Sequence, residues 1–181
     1  MTNIYLWFYC LKMNDAIFLV LLATVLFLRL KARFCSHALW NATMRGTALI
    51  WFTLVSWTTV LNRASEQVGQ EASWIPFYSY FMALQGHNPE ALRSNFMNMV
   101  LFYPAGLLSD TLVPRQWKKW RKIAVVSCVC CALSVSIEMA QCFHHLGLAE
   151  TDDVIHNTLG AVIGAWVCTI PMPYDIKSKP P

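Results

Sequence analysis

Carboxylate and amide side chains stand beside long apolar runs in the second half of this chain. They close one run and open the next: Glu138, Gln141, Glu150, Asp152, Asp153 and Asn157. A charged side chain at membrane depth costs on the order of 3 kcal/mol, so it usually faces protein or water and marks a site. Two acids in different surroundings can also divide the roles of proton donor and acceptor. The pattern predicts a polar site where two apolar helices meet, with Glu138 and Asp153 as candidate acids.

Helical spacing groups these side chains with two asparagines that open an earlier apolar run. Asn95 and Asn98 are three residues apart, as are Glu138 and Gln141, so each pair shares one helix face. The predicted ligand-binding residues are Asn95, Asn98, Glu138, Gln141, Asp153 and Asn157. The alternative is that they only form hydrogen bonds between helices, and the sequence leaves both interpretations open.

Small residues predict where the helices approach each other. Gly160 and Gly164 lie on the same helix face as Asn157, and their spacing of four is typical of close contacts between membrane helices. Pro104 and Gly106 lie in an earlier apolar run. We interpret Pro104, Gly106, Gly160 and Gly164 as helix-packing positions. Their packing would bring Asn157 against a neighbouring helix.

The composition is typical of a membrane protein. The 181 residues are 56% hydrophobic and 13% charged, with a mean hydropathy of +0.42. Long uncharged runs predict an all-α fold, a polytopic helical bundle that forms a single membrane domain over residues 1–181. The expected transmembrane helices lie at 17–30, 46–62, 95–113, 123–143 and 154–170. Segment 63–93 is too polar to span and rich in aromatic residues, so we expect it to be interfacial or re-entrant.

Basic residues indicate the orientation of the spans. Most of them fall in connections that we assign to the cytoplasm: Arg29, Lys31, Arg33, Arg45, Arg115, Lys118, Lys119, Arg121, Lys122, Lys177 and Lys179. Lys12, Arg63 and Arg93 fall on the other side. The positive-inside rule therefore predicts a multi-pass protein of the cell membrane with its N-terminus outside and its C-terminus in the cytoplasm. The polar site would then lie at the outer face. The net charge is +4, but the basic residues do not form a continuous surface that could bind nucleic acid, so nucleic acid is not an expected partner.

Histidines near the acids raise the question of a metal site. His144, His145 and His156 lie close to them in sequence, and imidazole with carboxylate suits zinc. Neither HExxH nor a comparable spacing is present, and we predict no metal and no cofactor. The seven cysteines are odd in number and mostly lie in apolar runs, which predicts free thiols rather than disulfides.

Sequence motifs in this part of the chain resemble a known family. They are IPFYSY from Ile75, NMVLFYPAGLL from Asn98, SIEMAQ from Ser136 and ETDDVIHNTLGAVIG from Glu150. In order and spacing, over a core of about residues 75–165, they resemble the VanZ family of membrane proteins. The resemblance implies a cell-envelope protein that affects susceptibility to teicoplanin, a lipid-tailed glycopeptide antibiotic. The resemblance does not imply a particular reaction, because no catalytic mechanism is established for the family.

Two classes of function remain open. In the first, the site binds a lipid-linked cell-wall intermediate or a lipoglycopeptide, with membrane lipids around the spans. In the second, the protein is a hydrolase or transferase acting on an envelope lipid headgroup, with Glu138 as general acid or base and Asp153 ionised nearer water. The sequence contains no recognisable nucleophile, which favours binding without deciding whether the protein is an enzyme. A transporter is a third class, but no inverted repeat supports it.

Overall fold

The computed structural model describes residues 23, 24, 26, 27, 30, 37–61, 72–85, 90–109, 113, 114, 116–144, 146 and 149–170. Its elements, in chain order, are α1 (His37–Ser56) with a π-helical end (Trp57–Leu61), β1 (Ala72–Ser73), α2 (Tyr78–Leu84), α3 (Glu90–Leu107), α4 (Lys119–Phe143), β2 (Ala149–Glu150) and α5 (Thr151–Cys168). Most of the predicted span 17–30 lies outside the described residues, as do His145 and the C-terminal segment 171–181.

The described chain is almost entirely helical, which confirms the all-α prediction. The one sheet among these residues is a two-stranded parallel pair, in which Ala72 aligns with Ala149 and Ser73 with Glu150. The sequence pattern predicts no strand in either place. This pairing fastens the chain before α2 to the connection between α4 and α5, which lies next to the predicted polar site.

Helices α3 and α5 run parallel and in close contact. Met99 lies against Gly160, and Tyr103 against Gly164, so the contact advances in the same direction along both helices. α4 runs antiparallel to α5, because Ser134 contacts Asn157 one to two turns from where Glu138 contacts the start of α5. The N-terminal ends of α3 and α5 and the C-terminal end of α4 therefore meet at one end of the bundle, which we call the polar end.

Pro104 interrupts the hydrogen bonding of α3 without ending the helix. Proline has no backbone N–H to donate to the preceding turn. In that turn, the indole Nε1 of Trp51 on α1 donates to the carbonyl of Leu101 at 2.8 Å. Its ring also meets the fully buried Phe102 edge to face, with 5.6 Å between ring centroids. The hydrogen bond and the ring contact join α1 to α3 beside the proline.

Helix ends differ from the predicted boundaries. α3 begins at Glu90 rather than residue 95, and α5 begins at Thr151 rather than residue 154. Hydropathy identifies the apolar centre of a helix, whereas its polar first turn is fixed by contacts at its end. The earlier start of α5 places Asp152 and Asp153 in its first turn. Asn95, Asn98 and Asn157 lie in helices, as predicted.

One described helix, α4, is long and apolar enough to cross a membrane, with 25 residues and a hydropathy of 2.1 over its most apolar window. Large apolar side chains also point away from the bundle on α1 and α4. They include Leu49, Ile50 and Phe52 on α1 and Val129 and Phe143 on α4. Exposed apolar surface on two helices is unusual unless another apolar phase covers it.

Candidate functional site

Asp152 is the central acid of the polar end. It lies in the first turn of α5 and its side chain is only 3% exposed. Its carboxylate accepts hydrogen bonds from the backbone N–H of Phe77, from the N–H of Ser79 at 2.9 Å and from the Ser79 hydroxyl. α2 has no capping side chain of its own, and Phe77 before it adopts a left-handed conformation with φ of 62°. Asp152 therefore supplies from a distant helix the anionic cap that α2 lacks.

Ser79 passes this hydrogen-bond chain on to α3. Because an ionised carboxylate only accepts, the Ser79 hydroxyl hydrogen is committed to Asp152. The Ser79 oxygen is then an acceptor, and it receives the Nδ2 group of Asn95 at 2.8 Å. The other end of that amide, Oδ1, is buried and has no hydrogen-bond partner in the described structure. Three segments distant in sequence are thus linked through one serine.

His156 and Tyr80 extend the same network toward the surface. The Nδ1 atom of His156 faces the backbone carbonyl of Asp152, and since a carbonyl only accepts, Nδ1 carries the hydrogen. In the neutral ring Nε2 is therefore an acceptor, and the Tyr80 hydroxyl donates to it at 2.7 Å. The two rings also stack, with centroids 5.6 Å apart. The buried imidazole thus fixes the position of an exposed tyrosine at the rim.

Glu138 holds the connection between α4 and α5. It is buried near the end of α4, and its Oε2 accepts the backbone N–H of Glu150 at 3.1 Å. Burial raises the pKa of the Glu150 carboxyl, and the nearby carboxylate of Asp152 raises it further. Gln141, one turn after Glu138, donates from Nε2 to the carbonyl of Thr59 at 3.0 Å, which ties the π-helical end of α1 to the same place.

The remaining predicted binding residues lie on α3 and α5. Asn157 donates from Nδ2 to the hydroxyl of Ser134 on α4 at 2.9 Å, while its buried Oδ1 has no partner in the described residues. Asn98 is half-buried, and its Nδ2 is likewise buried without a partner there. Asp153 is half-buried in the first turn of α5. The structure therefore places every predicted binding residue at the polar end, and several are joined through residues that the sequence analysis did not select.

Those unselected residues are Ser79, Tyr80, Asp152 and His156. Two signals in the sequence pointed to them. Asp152 and His156 are four residues apart and so share a helix face, and Ser79 and Tyr80 follow Pro76 in a short aromatic segment. The spacing of Asp153, Asn157 and Gly160 suggested the neighbouring face of the same helix instead. The seven-residue helix α2, which Asp152 caps, is too short to show a helical period.

The glycines mark the contact between α3 and α5 below the polar end. A Cβ at Gly160 would lie 2.1 Å from the Met99 carbonyl oxygen, and one at Gly164 would lie 2.2 Å from that of Tyr103. A Cβ at Gly106 would meet the backbone of α5 in the same way. Pro104 is half-buried two residues before Gly106. We call this region the glycine contact.

The histidines are not arranged as metal ligands in the described residues. His144 is exposed, and both ring nitrogens of His156 take part in the hydrogen bonds given above. Within the described part of the chain, no group of three or more His, Cys, Asp or Glu side chains is arranged to hold a metal ion. The described cysteines, which are Cys128, Cys130, Cys131, Cys142 and Cys168, are free thiols.

The described residues thus form a helical bundle whose buried carboxylates and amides lie at one end. The sequence model of the VanZ/LLP1 family matches residues 44–171, and the chain belongs to that family. The match begins at residue 44, so it includes residues 44–56 of α1 as well as the motifs between residues 75 and 165. No curated protein and no solved structure matches the chain.

Proposed function

We propose that the protein is a multi-pass membrane protein of the cell envelope whose polar end binds a lipid-linked envelope component or a lipoglycopeptide such as teicoplanin. One observation carries the proposal: three helices bring buried carboxylates and amides to one end of the bundle, among them Asn95, Glu138 and Asn157. Intramembrane polar residues are expensive and usually serve a ligand or pathway. Membership of the VanZ/LLP1 family favours this process over others.

The membrane setting is supported by apolar surface and by charge. α4 has the length and hydropathy of a transmembrane helix, and α1 carries outward-facing Leu49, Ile50 and Phe52. At the opposite end from Glu138, Lys118 precedes α4 and Lys119 begins it, and both are exposed. The positive-inside rule assigns that end to the cytoplasm and the polar end to the outer face. The proposal therefore keeps five spans, with the N-terminus outside and the C-terminus inside.

Aromatic residues around α2 suit the boundary between the lipid and the polar end. Trp74, Ile75, Phe77 and Phe81 are all exposed by more than half of their surface, and they surround the segment that Asp152 caps. Aromatic side chains are enriched at the headgroup level of membranes. A lipid-tailed ligand would place its chain along this apolar surface while its polar group reaches the buried amides and carboxylates.

Removal of charge at the polar end tests the proposal. Glu138→Gln and Asp153→Asn keep the size and hydrogen-bonding capacity of each side chain. We expect both proteins to reach normal levels in the membrane, and we expect at least about a tenfold weaker affinity of the purified protein for lipoglycopeptide, because a lost charge-assisted hydrogen bond is worth about 1.5–3 kcal/mol. Lys119→Gln removes a charge from the opposite end and should bind like wild type.

The outcome also separates binding from polar contacts that only join helices. If Glu138 and Asp153 only hold the bundle together, amides replace them tolerably, since such interhelical hydrogen bonds average about 0.6 kcal/mol. Wild-type affinity in both variants, together with unchanged lipoglycopeptide susceptibility of cells that express them, would contradict the proposal. Release of product from a purified envelope lipid would instead support the hydrolase or transferase described above.

A further inference from the structure

We propose that the polar end recognises a primary ammonium group on its ligand and does so through hydrogen-bond acceptors rather than through phosphate contacts. The inference deepens the proposed function and rests on it, since it names the chemical group that the same site selects. It depends on the direction of the amide groups, on the position of the two helices that carry them, and on the balance of charge.

The direction of the Asn95 amide is fixed by its neighbours. Ser79 donates its only hydroxyl hydrogen to the Asp152 carboxylate, so Asn95 must present its NH₂ group to the Ser79 oxygen. The Asn95 Oδ1 atom consequently faces away from Ser79 as an acceptor. The residue is 2% exposed, and this oxygen has no partner in the described structure. A buried acceptor without a donor is destabilising, and a hydrogen bond from a ligand N–H would remove that cost.

A second acceptor lies at the same level on the neighbouring helix. Asn157 is 4% exposed, and its Nδ2 donates to Ser134 while Oδ1 has no partner among the described residues. Asn95 lies one turn before Met99, and Asn157 lies about one turn before Gly160. Since α3 and α5 run parallel and Met99 contacts Gly160, the two asparagines lie at equal height in the bundle. Two oxygen acceptors at one level suit a group with several N–H donors, and they outnumber the one unpartnered amide donor among the described residues of this end, the Nδ2 of Asn98.

The charges at the polar end favour a cation over an anion. The described carboxylates there are Glu138, Glu150, Asp152 and Asp153, and Arg93 in the first turn of α3 is the basic counterpart among the described lysines and arginines of this end. A phosphate would meet this excess of negative charge at short range and with little solvent screening. An ammonium group meets attraction from the carboxylates and acceptors from the amides. Its three N–H bonds also make it a better match than a quaternary ammonium, which has none.

Such a group occurs in two kinds of envelope molecule. It is present in the headgroup of phosphatidylethanolamine, and it is present as a free amine in peptide-bearing molecules such as lipoglycopeptides. The first arm of the test therefore compares phosphatidylethanolamine with phosphatidylcholine and phosphatidylglycerol of the same acyl chains, added to the purified protein in detergent. The second arm compares a lipoglycopeptide that has a free amine with its N-acetylated form.

Thermal protection as a function of ligand concentration gives the affinity in both arms. We expect phosphatidylethanolamine to bind at least about tenfold more tightly than phosphatidylcholine, because only its ammonium donates hydrogen bonds to the two amide oxygens. If the free lipoglycopeptide amine is the natural group, acetylation weakens binding by a similar factor and the phospholipids differ less. Equal binding of all three phospholipids, together with equal binding of both lipoglycopeptide forms, would overturn the inference.

Substitutions assign the preference to the two acceptors. Asn157→Leu should abolish the preference for the ammonium ligand, and Asn95→Leu should do the same. Thr158→Val is the matched control, since the Thr158 hydroxyl bonds within its own helix to the Val154 carbonyl, and it should keep the preference. An unchanged preference in folded Asn95→Leu and Asn157→Leu proteins would contradict the assignment.

The comparison of ligands on wild-type protein needs no substitution, so a variant that fails to fold does not affect it. Binding of lipoglycopeptide without any headgroup or amine preference would refute the ammonium inference and leave the proposed function standing. Absence of binding to every lipid and lipoglycopeptide tested would refute both.

Discussion

Helices α3 and α5 pack in two different ways along their length. At the glycine contact the helices touch backbone to backbone, since Gly160 and Gly164 leave no room for a Cβ. At the polar end, one to two turns away, they are joined through full-sized polar side chains and through α2, whose Ser79 stands between Asn95 and Asp152. The two helices are therefore in direct backbone contact at the glycines, and they are joined by side-chain hydrogen bonds at the polar end.

The difference is the reason why we place the proposed ligand at only one of the two regions. A backbone contact buries little that needs a partner, so it can close completely and hold two helices in fixed register. A buried carboxylate or amide must find donors and acceptors, and each one left over is costly. At the polar end most groups are satisfied, yet the Oδ1 atoms of Asn95 and Asn157 remain without partners in the described residues. The glycine contact thus fixes the register of the two helices that carry these unpartnered amide oxygens.

The largest effect is expected at the glycine contact. Gly160→Ala would place a Cβ 2.1 Å from the Met99 carbonyl oxygen, and backbone cannot move away as a flexible side chain would. We expect a loss of about 3 kcal/mol or more in the free energy of unfolding, at the upper end for overpacked cores. Thermal unfolding in detergent measures it.

Gly46 provides the control, because a Cβ there meets nothing within 4 Å. Gly46→Ala in the middle of α1 should leave stability unchanged or raise it by up to about 1 kcal/mol through helix propensity. Equal melting temperatures for Gly160→Ala and wild type would show that α3 and α5 do not approach as closely as described, and the contrast between the two regions would disappear.

A smaller loss is expected when the polar end is altered. In Asp152→Asn one acceptor oxygen becomes an NH₂ group that faces the donors of Phe77 or Ser79. We expect stability to fall by about 1.5–3 kcal/mol, the usual range for a lost hydrogen bond to a charged group. Asp153→Asn, one residue along and half-buried, should fall by less. A larger loss for Asp153→Asn in thermal unfolding would mean that Asp153, and not Asp152, supports α2.

The two regions also differ in how far the sequence predicts them. Spacing alone places Gly160 and Gly164 on one helix face, because a contact made by missing side chains depends on the period of a single helix. Hydropathy likewise located the apolar centres of α1, α3, α4 and α5. Both predictions use information that is local in the chain, and the structure has helices at each of these places.

The polar end depends on contacts between segments that are distant in sequence. Asp152 and Asp153 are adjacent acids of equal size, and only the position of α2 decides that Asp152 is the one buried against it. α2 itself has seven residues, and the carboxylate that caps it lies more than 70 residues further along the chain. No periodicity in a single segment reveals such a partner. The sequence analysis assigned the site to Asp153, on one helix face with Asn157, and did not recognise Asp152 as the acid that caps α2.

The smallest expected effect on stability is at Glu150. Its carboxyl makes the stability of the polar end depend on pH, whereas the glycine contact has no such dependence. Burial and the nearby Asp152 raise the pKa of this carboxyl in the folded protein. A raised pKa means that the folded state holds the proton more tightly, so the contribution to stability is complete below the unfolded pKa of about 4.3 and is lost as the pH rises through the folded pKa. Glutamine resembles the protonated form and keeps that contribution.

We therefore expect Glu150→Gln to melt at a higher temperature than wild type at pH 7 to 8, where the wild-type carboxyl is almost fully ionised in the unfolded chain. We expect the difference in melting temperature to vanish near pH 4. Other groups titrate over this range, but they are common to both proteins and cancel in the difference. The same experiment with Gly46→Ala should give a difference that does not depend on pH. A Glu150→Gln protein that is less stable than wild type at pH 7 would mean that the carboxylate has a favourable partner, and the excess of negative charge at the polar end would then be smaller than the ammonium inference requires.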